Sequence, residues 1–101
     1  MNGSTINNLD AGDYCIASTK RPVIRRAFIH EEIECYMLLR FDTAKAFSGV
    51  TIPFFYCEAV KNVDSPDGWL ALHQLILDGW ELEPMQSMEQ WEELVRNAPR
   101  S

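Results

Sequence analysis

The chain has 101 residues, of which 47% are hydrophobic and 24% are charged, and its formal net charge is −6. This length is that of one ordinary domain, and the composition is typical of a globular protein and not of a disordered one. No apolar run reaches the roughly 18 residues that a membrane-spanning helix needs, and the polar start Met1–Asn8 is unlike a signal peptide, so we expect a cytoplasmic protein without a membrane segment.

The N-terminal region predicts an arm followed by a short strand. Residues 1–12 are rich in Asn, Gly and Ser and predict a flexible arm, so we expect a single folded domain over residues 13–101. The run Asp13–Thr19 is typical of a strand. Lys20–Pro22 predicts the turn that ends it, because proline cannot donate a hydrogen bond to a ladder.

The next segment predicts a β-hairpin. Every odd-numbered residue of Ile33–Phe41 is apolar, and this period of two is typical of a half-buried strand. We therefore expect Val23–His30 to pair with it through a turn near Glu31–Glu32. A single helix over residues 23–41 is the alternative.

The middle of the chain predicts a helical turn and then a central strand. Asp42 is a suitable N-cap for a turn over Asp42–Ser48, and Gly49 would end that turn. Val50–Val63 is apolar on both faces and rich in β-branched and aromatic residues, as central strands are. Pro53 confines the paired part to the residues after it, unless the strand lies at an edge.

The first strong helix signal precedes Gly79. Ser65, Pro66 and Asp67 supply an N-cap, a preset φ and an acid for the first turn. Gly79 is placed to end the helix with a positive φ, so we expect about three turns. The apolar residues at helical spacing are Trp69, Leu72, Leu75 and Ile76.

The C-terminal region predicts a short strand and a second helix. Trp80–Glu83 alternates apolar and acidic residues and stops at Pro84. Ser87 and Gln90 have the spacing of a capping box, and the apolar stripe after them predicts a helix over Met88–Asn97. Strands that come first and helices that come later indicate an α+β fold. We expect a small, mainly antiparallel sheet of three to five strands with two C-terminal helices packed on one face.

The cysteines predict no disulfide framework. Cys15, Cys35 and Cys57 are an odd number and form no CxxC pair, and no phosphate-binding, hydrolase or metalloprotease motif is present. We therefore expect no cofactor, no metal and no catalytic residue. The alternative in another class is a small enzyme or redox protein in which a thiol meets an imidazole, Cys35 with His30 or Cys57 with His73.

The excess negative charge is confined to one part of the chain. Residues 1–61 contain seven acids and seven bases, whereas residues 62–93 contain eight acids and no Lys or Arg. A field of one sign over a third of a small domain repels nucleic acid and attracts basic proteins, unless it only keeps the protein soluble. A homo-oligomeric structural subunit, such as a homodimer, is a further alternative. In such an oligomer, the acidic region of one copy would meet a basic group on another copy. This basic group consists of Lys20, Arg21, Arg25 and Arg26.

The acidic region also contains large aromatic and methionine side chains. Residues 64–93 contain three tryptophans, two methionines and eight acids, and aromatic residues rimmed by charge are typical of recognition surfaces. We therefore expect a non-enzymatic interaction module, such as an inhibitor, immunity protein or adaptor, that docks on a basic partner surface. The residues expected to bind the partner are Trp69, Asp78, Glu81, Glu83, Glu89, Glu92 and Glu93.

Overall fold

A computed structural model describes residues 9–25 and 29–97 of the chain. The elements are β1 (Tyr14–Arg25), β2 (Ile29–Lys45), β3 (Thr51–Lys61), β4 (Trp69–Ala71), α1 (Leu72–Leu77), β5 (Glu81–Pro84) and α2 (Met88–Asn97). The strands form one antiparallel sheet in the order β4-β3-β2-β1-β5. The α+β fold with an antiparallel sheet is therefore confirmed.

The central strand β2 shows the predicted alternation. Its odd-numbered residues from Ile33 to Phe41 are all buried, and most of them pack in one main cluster with side chains from the neighbouring strands. Leu39 is fully buried there and pairs with Cys15 on one side and Cys57 on the other. The buried members of this main cluster are Cys15, Ala17, Cys35, Met37, Leu39, Phe41, Phe55, Leu75, Trp80 and Leu82.

The two turns predicted in the first half of the chain are wrong, and so is the helical alternative over residues 23–41. β1 runs through Lys20–Pro22 without a break, and Pro22 pairs with Glu32 inside the ladder. The two strands of the hairpin are paired up to Arg25 and Ile29, and residues 26–28 lie outside the described part of the chain.

Pro22 is tolerated in β1 because of where its nitrogen faces. The carbonyl of Tyr14 accepts a hydrogen bond from the Met85 N–H at 3.0 Å, so even-numbered residues of β1 direct their backbone groups toward β5. β5 pairs with β1 only as far as Ser18, so the nitrogen of Pro22 faces an open edge where no ladder bond is lost.

The helical turn predicted over Asp42–Ser48 is also wrong. β2 continues to Lys45, because Phe41 pairs with Phe55 and their rings meet edge-to-face at 5.4 Å between centroids. The chain then reverses through a short turn in which Gly49 has a φ of +86°. The predicted strand that follows is confirmed as β3.

Pro53 lies inside β3 but outside the part that β4 covers. The Ala46 N–H donates to the Val50 carbonyl, and counting along the ladder from that bond directs the nitrogen of Pro53 away from β2. β4 pairs only with residues 54–56, so this proline also faces an open edge.

The helix predicted to start at Ser65 begins seven residues later. Gly68 has a φ of +73°, which a right-handed helix excludes, and Trp69 to Ala71 form the edge strand β4 against β3. Only the six residues of α1 are helical, and Ala71 gives this helix no side-chain cap. The backbone pairing of β4 with β3 therefore overrides the capping signal in the sequence.

The end of α1 follows the prediction in detail. Gly79 has a φ of +89°, its N–H donates to the Ile76 carbonyl at 3.1 Å, and the Trp80 N–H donates to the Leu75 carbonyl at 3.0 Å. These two bonds form a Schellman motif, and the side chains of Leu75 and Trp80 both join the main cluster.

The last two elements are confirmed as β5 and α2. In β5, Leu82 is buried between the exposed Glu81 and Glu83. At the start of α2 the Ser87 N–H donates to Oε1 of Gln90 at 3.2 Å, which is one half of the predicted capping box.

A common face for the two helices is not confirmed. Leu75 of α1 belongs to the main cluster, which lies on the side of the sheet that carries Cys15 and Ala17. Residues of α2 instead line a groove with Ile16 and Ser18, whose side chains alternate to the other side. Trp91 of α2 is buried outside the main cluster.

We expect Gly79→Val to lower the free energy of unfolding by at least about 1 kcal/mol, because a β-branched residue is strained at a positive φ. A Cβ at this position would meet only Oγ1 of Thr19, at 3.9 Å, so the loss comes from the backbone and not from a clash. Gly79→Asn is the control, since Asn tolerates this conformation and should lose less. Chemical denaturation measures both, and equal stability of wild type and Gly79→Val would contradict the prediction.

Candidate functional site

Five of the predicted partner-binding acids lie on two elements that meet at one edge of the sheet. β5 is the edge strand, and α2 begins four residues after β5 ends. All five side chains are exposed. We call this set the acidic edge: Glu81, Glu83, Glu89, Glu92 and Glu93.

The carboxylates of the acidic edge are unpaired within the part of the chain that the structure describes. None of the five forms an ion pair there, and this includes Arg96, which lies in the last turn of α2. Leu82 anchors β5 and Trp91 anchors α2, because each is buried among these exposed acids. The carboxylates therefore project from ordered elements into solvent, where each one is free to meet a cation.

Asp78 is placed differently from the acidic edge. It follows α1, accepts a hydrogen bond from Nε2 of Gln74 at 3.2 Å, and borders a shallow depression that Lys20 and Arg21 also line. The Arg21 guanidinium lies 5.4 Å from the centre of the Trp80 ring, a cation–π distance. Asp78 thus faces positive charge from its own chain.

Trp69 is not near the acidic edge. It lies on β4, and three strands separate β4 from β5, which places the two edges about 19 Å apart at the usual strand spacing. Its side chain is 59% exposed. The structure therefore does not bring Trp69 together with the five glutamates.

A groove runs between α2 and the sheet within the acidic edge. Its volume is about 460 Å³, and Glu83 of β5 and Glu93 of α2 both line it. The remaining lining residues are Ile16, Ser18, Tyr36, Gln90, Leu94 and Asn97. The groove thus combines two carboxylates with hydroxyl groups, amides and two aliphatic side chains.

The Tyr36 hydroxyl, which lines this groove, donates its hydrogen bond to the Glu34 carboxylate. Burial raises its pKa, and the hydrogen bond and negative charge of Glu34 raise it further. The phenol is therefore protonated at neutral pH.

A second exposed surface, which the sequence does not predict, lies around Trp69. The Phe54 ring packs edge-to-face against Tyr56 at 5.2 Å and against Trp69 at 6.0 Å between centroids. Ile52, on the same strand face, is also exposed. The period of two along β3 could have grouped Phe54 with Tyr56, but the pairing of Trp69 with Tyr56 has no signal in the sequence.

Arg40 borders this aromatic surface and is already neutralised. Its guanidinium lies 5.0 Å from the centre of the Tyr56 ring, and its Nε donates to Glu58 at 3.0 Å. That hydrogen bond is the main reason why the pKa of Arg40 is raised. Glu58 also accepts from the Tyr14 hydroxyl at 3.3 Å, and Asp42 lies 3.6 Å from the guanidinium. The charged groups of this surface therefore satisfy one another.

The structure gives no support to a thiol nucleophile. Burial raises the pKa of all three cysteines, that of Cys15 to about 12, so the thiols are protonated at neutral pH. His30 and Cys35 lie on the same strand, five residues or about 16 Å apart, and do not meet across a hairpin. The Cys57 thiol donates to the Ala59 carbonyl at 3.4 Å, and His73 is exposed on α1.

Comparison with known proteins adds no function: no protein-family model, curated protein or solved structure matches this chain. Within residues 9–25 and 29–97, no group of three or more His, Cys, Asp or Glu side chains is arranged to hold a metal ion. No helix of that same part is long and apolar enough to cross a membrane. The candidate site therefore rests on the geometry and charge of the acidic edge.

We expect the native thiols to react slowly with a thiol reagent at neutral pH, because they are shielded and poorly ionised. Cys57 is the partly exposed one and should react first, ahead of Cys15 and Cys35. Labelling with and without denaturant, followed by mass spectrometry, identifies the order. Cys57→Ser is the control that should remove the first phase, and rapid stoichiometric labelling of Cys35 would contradict the prediction.

The buried Cys15 thiol should make the fold sensitive to alkali. Its pKa is raised from 9.0 to about 12 on folding, so the unfolded chain ionises first and stability is lost as the pH rises from 9 toward 12. Relative to Cys15→Ala, wild type should lose roughly 1 kcal/mol more between about pH 8 and about pH 10. Urea unfolding at both pH values measures this, and equal losses in the two proteins would contradict it.

Proposed function

We propose that this protein is a non-enzymatic interaction module that docks its acidic edge on a basic surface of a protein partner, as inhibitors, immunity proteins and adaptors do. The observation that carries the proposal is the set of five exposed carboxylates on β5 and α2 without an ion-pair partner among the described residues. Such a field attracts a basic surface and speeds its approach.

The distribution of charge supports a protein partner over nucleic acid. The five exposed carboxylates of the acidic edge would repel a phosphate backbone from this side of the molecule. A partner with clustered Lys and Arg would instead be attracted to it. The three unpaired cysteines fit a reducing compartment, and we propose that the protein works in the cytoplasm.

The way in which the acids are held also supports docking. Backbone pairing of β5 with β1 fixes Glu81 and Glu83, and the α2 helix fixes the other three. A partner therefore does not have to order a loop when it binds, which lowers the entropic cost of association.

The alternative of a homo-oligomer through the basic group of β1 is less well supported. Lys20 and Arg21 border the depression that Asp78 of the same chain lines, and Arg21 stacks on Trp80. Arg21 is therefore engaged within its own copy, whereas Arg26 lies outside the described residues.

Reversal of two charges tests the proposal. We expect Glu81→Lys/Glu83→Lys to slow association with a partner captured from the native host by about tenfold at low salt, because steering by the acidic edge is lost. Folding should change little, since exposed charges contribute little to stability. Wild-type association should also slow as salt is raised.

The matched control is Asp64→Lys/Asp67→Lys, which changes the net charge equally at two exposed acids outside the acidic edge. Association rates of the three proteins at low and high salt separate a local effect from one of net charge. Equal rates for wild type and Glu81→Lys/Glu83→Lys, with no dependence on salt, would overturn the proposal.

A further inference from the structure

The groove beside α2 receives its two carboxylates from different elements. Alternation along β5 places Glu83 opposite Ile16 on the α2 side of the sheet, and the i, i+3, i+4, i+7 stripe of α2 turns Glu93 toward the same space. The neighbouring Glu81 and Glu92 are also exposed but do not line the groove. The convergence of two carboxylates here is therefore a property of the groove and not of the acidic edge as a whole.

The other walls of the groove favour a long amphipathic guest. Ile16 and Leu94 supply aliphatic surface, and the Tyr36 and Ser18 hydroxyls and the Asn97 amide supply hydrogen-bonding groups. A small metal ion would leave the aliphatic walls uncovered. An alkyl chain that ends in a cation would cover them while its charge meets the carboxylates.

Among such cations, a guanidinium matches the number of acceptors in the groove better than an ammonium does. Two carboxylates and two hydroxyl oxygens offer several acceptors on different sides of the groove. A guanidinium carries five N–H donors in one plane and binds carboxylates in pairs, whereas an ammonium is a compact charge with three donors.

We infer that this groove is a binding site for an arginine side chain presented by the basic partner. Its alkyl stem lies along Ile16 and Leu94, and its guanidinium binds Glu83 and Glu93. The inference rests on the proposed function, because it names the group of the partner that the acidic edge recognises.

The test uses the full chain and a defined probe, the peptide acetyl-Gly-Arg-Gly-amide, in a ¹H–¹⁵N correlation spectrum at low salt. We expect saturable shifts of the side-chain amide signals of Gln90 and Asn97, which line the groove. Peptides with lysine or with neutral citrulline in place of arginine should bind at least about tenfold more weakly, because they lack the charge or the paired donors.

Two double variants with the same net charge separate the groove from the general field. Glu83→Gln/Glu93→Gln should weaken binding of the arginine peptide about tenfold, whereas Asp64→Asn/Asp67→Asn should leave it within about twofold. Asp64 and Asp67 are exposed and lie outside the acidic edge, so the second variant removes the same charge without touching the groove.

Any one of three outcomes would overturn the inference. These are equal weakening of binding by the two variants, binding of the citrulline or lysine peptide as tight as that of the arginine peptide, and absence of saturable shifts at Gln90 and Asn97. If any of these outcomes occurs while Glu81→Lys/Glu83→Lys still slows association with the partner, the arginine site is refuted and the docking proposal is retained. If the arginine peptide binds in the groove while the charge reversal leaves the association rate with the partner unchanged, the arginine site is retained and the docking proposal is refuted.

Discussion

The fold depends on the register of β2, because this strand is the one that pairs along its length with two long neighbours. Its odd-numbered residues face the main cluster, and a slip by one residue would turn all of them to the opposite side of the sheet. The same register sets the position of β1, and β1 in turn sets β5. The acidic residues of β5 therefore owe their exposure to a buried strand two positions away in the sheet.

A bulge in β3 lets odd- and even-numbered residues of that strand both pack in the main cluster. Leu38 pairs with Ala59 and Leu39 with Cys57, so Glu58 is the extra residue between them. Without it, Phe55 and Val60 would face opposite sides, whereas both pack with the main cluster. The bulge also presents the Glu58 carboxylate to Arg40, and so one irregularity serves the core and the surface.

The sequence predicts correctly those elements that depend on neighbours in the chain. It does not predict those that depend on how the strands pair in the sheet. The alternation of β2, the glycine at the end of α1 and the bounds of α2 each depend on neighbours in the chain, and each prediction held. Whether Pro22 breaks a strand depends on which edge is open, and whether Trp69 is helical depends on its pairing with β3. The acidic edge could be anticipated from charge and alternation. The groove and the distance of Trp69 from it could not, because both follow from the order of strands in space.

The prolines near the open edges of the sheet have a consequence for how the molecule can associate. Pro22 and Pro53 turn their nitrogens outward, and Pro84 does the same at the outer edge of β5, since the neighbouring Met85 N–H is the one that bonds β1. A foreign strand that tried to extend the sheet at any of these places would find an N–H missing. Templated growth into fibrils is thereby obstructed, and recognition of the backbone by addition of a strand is disfavoured at these places.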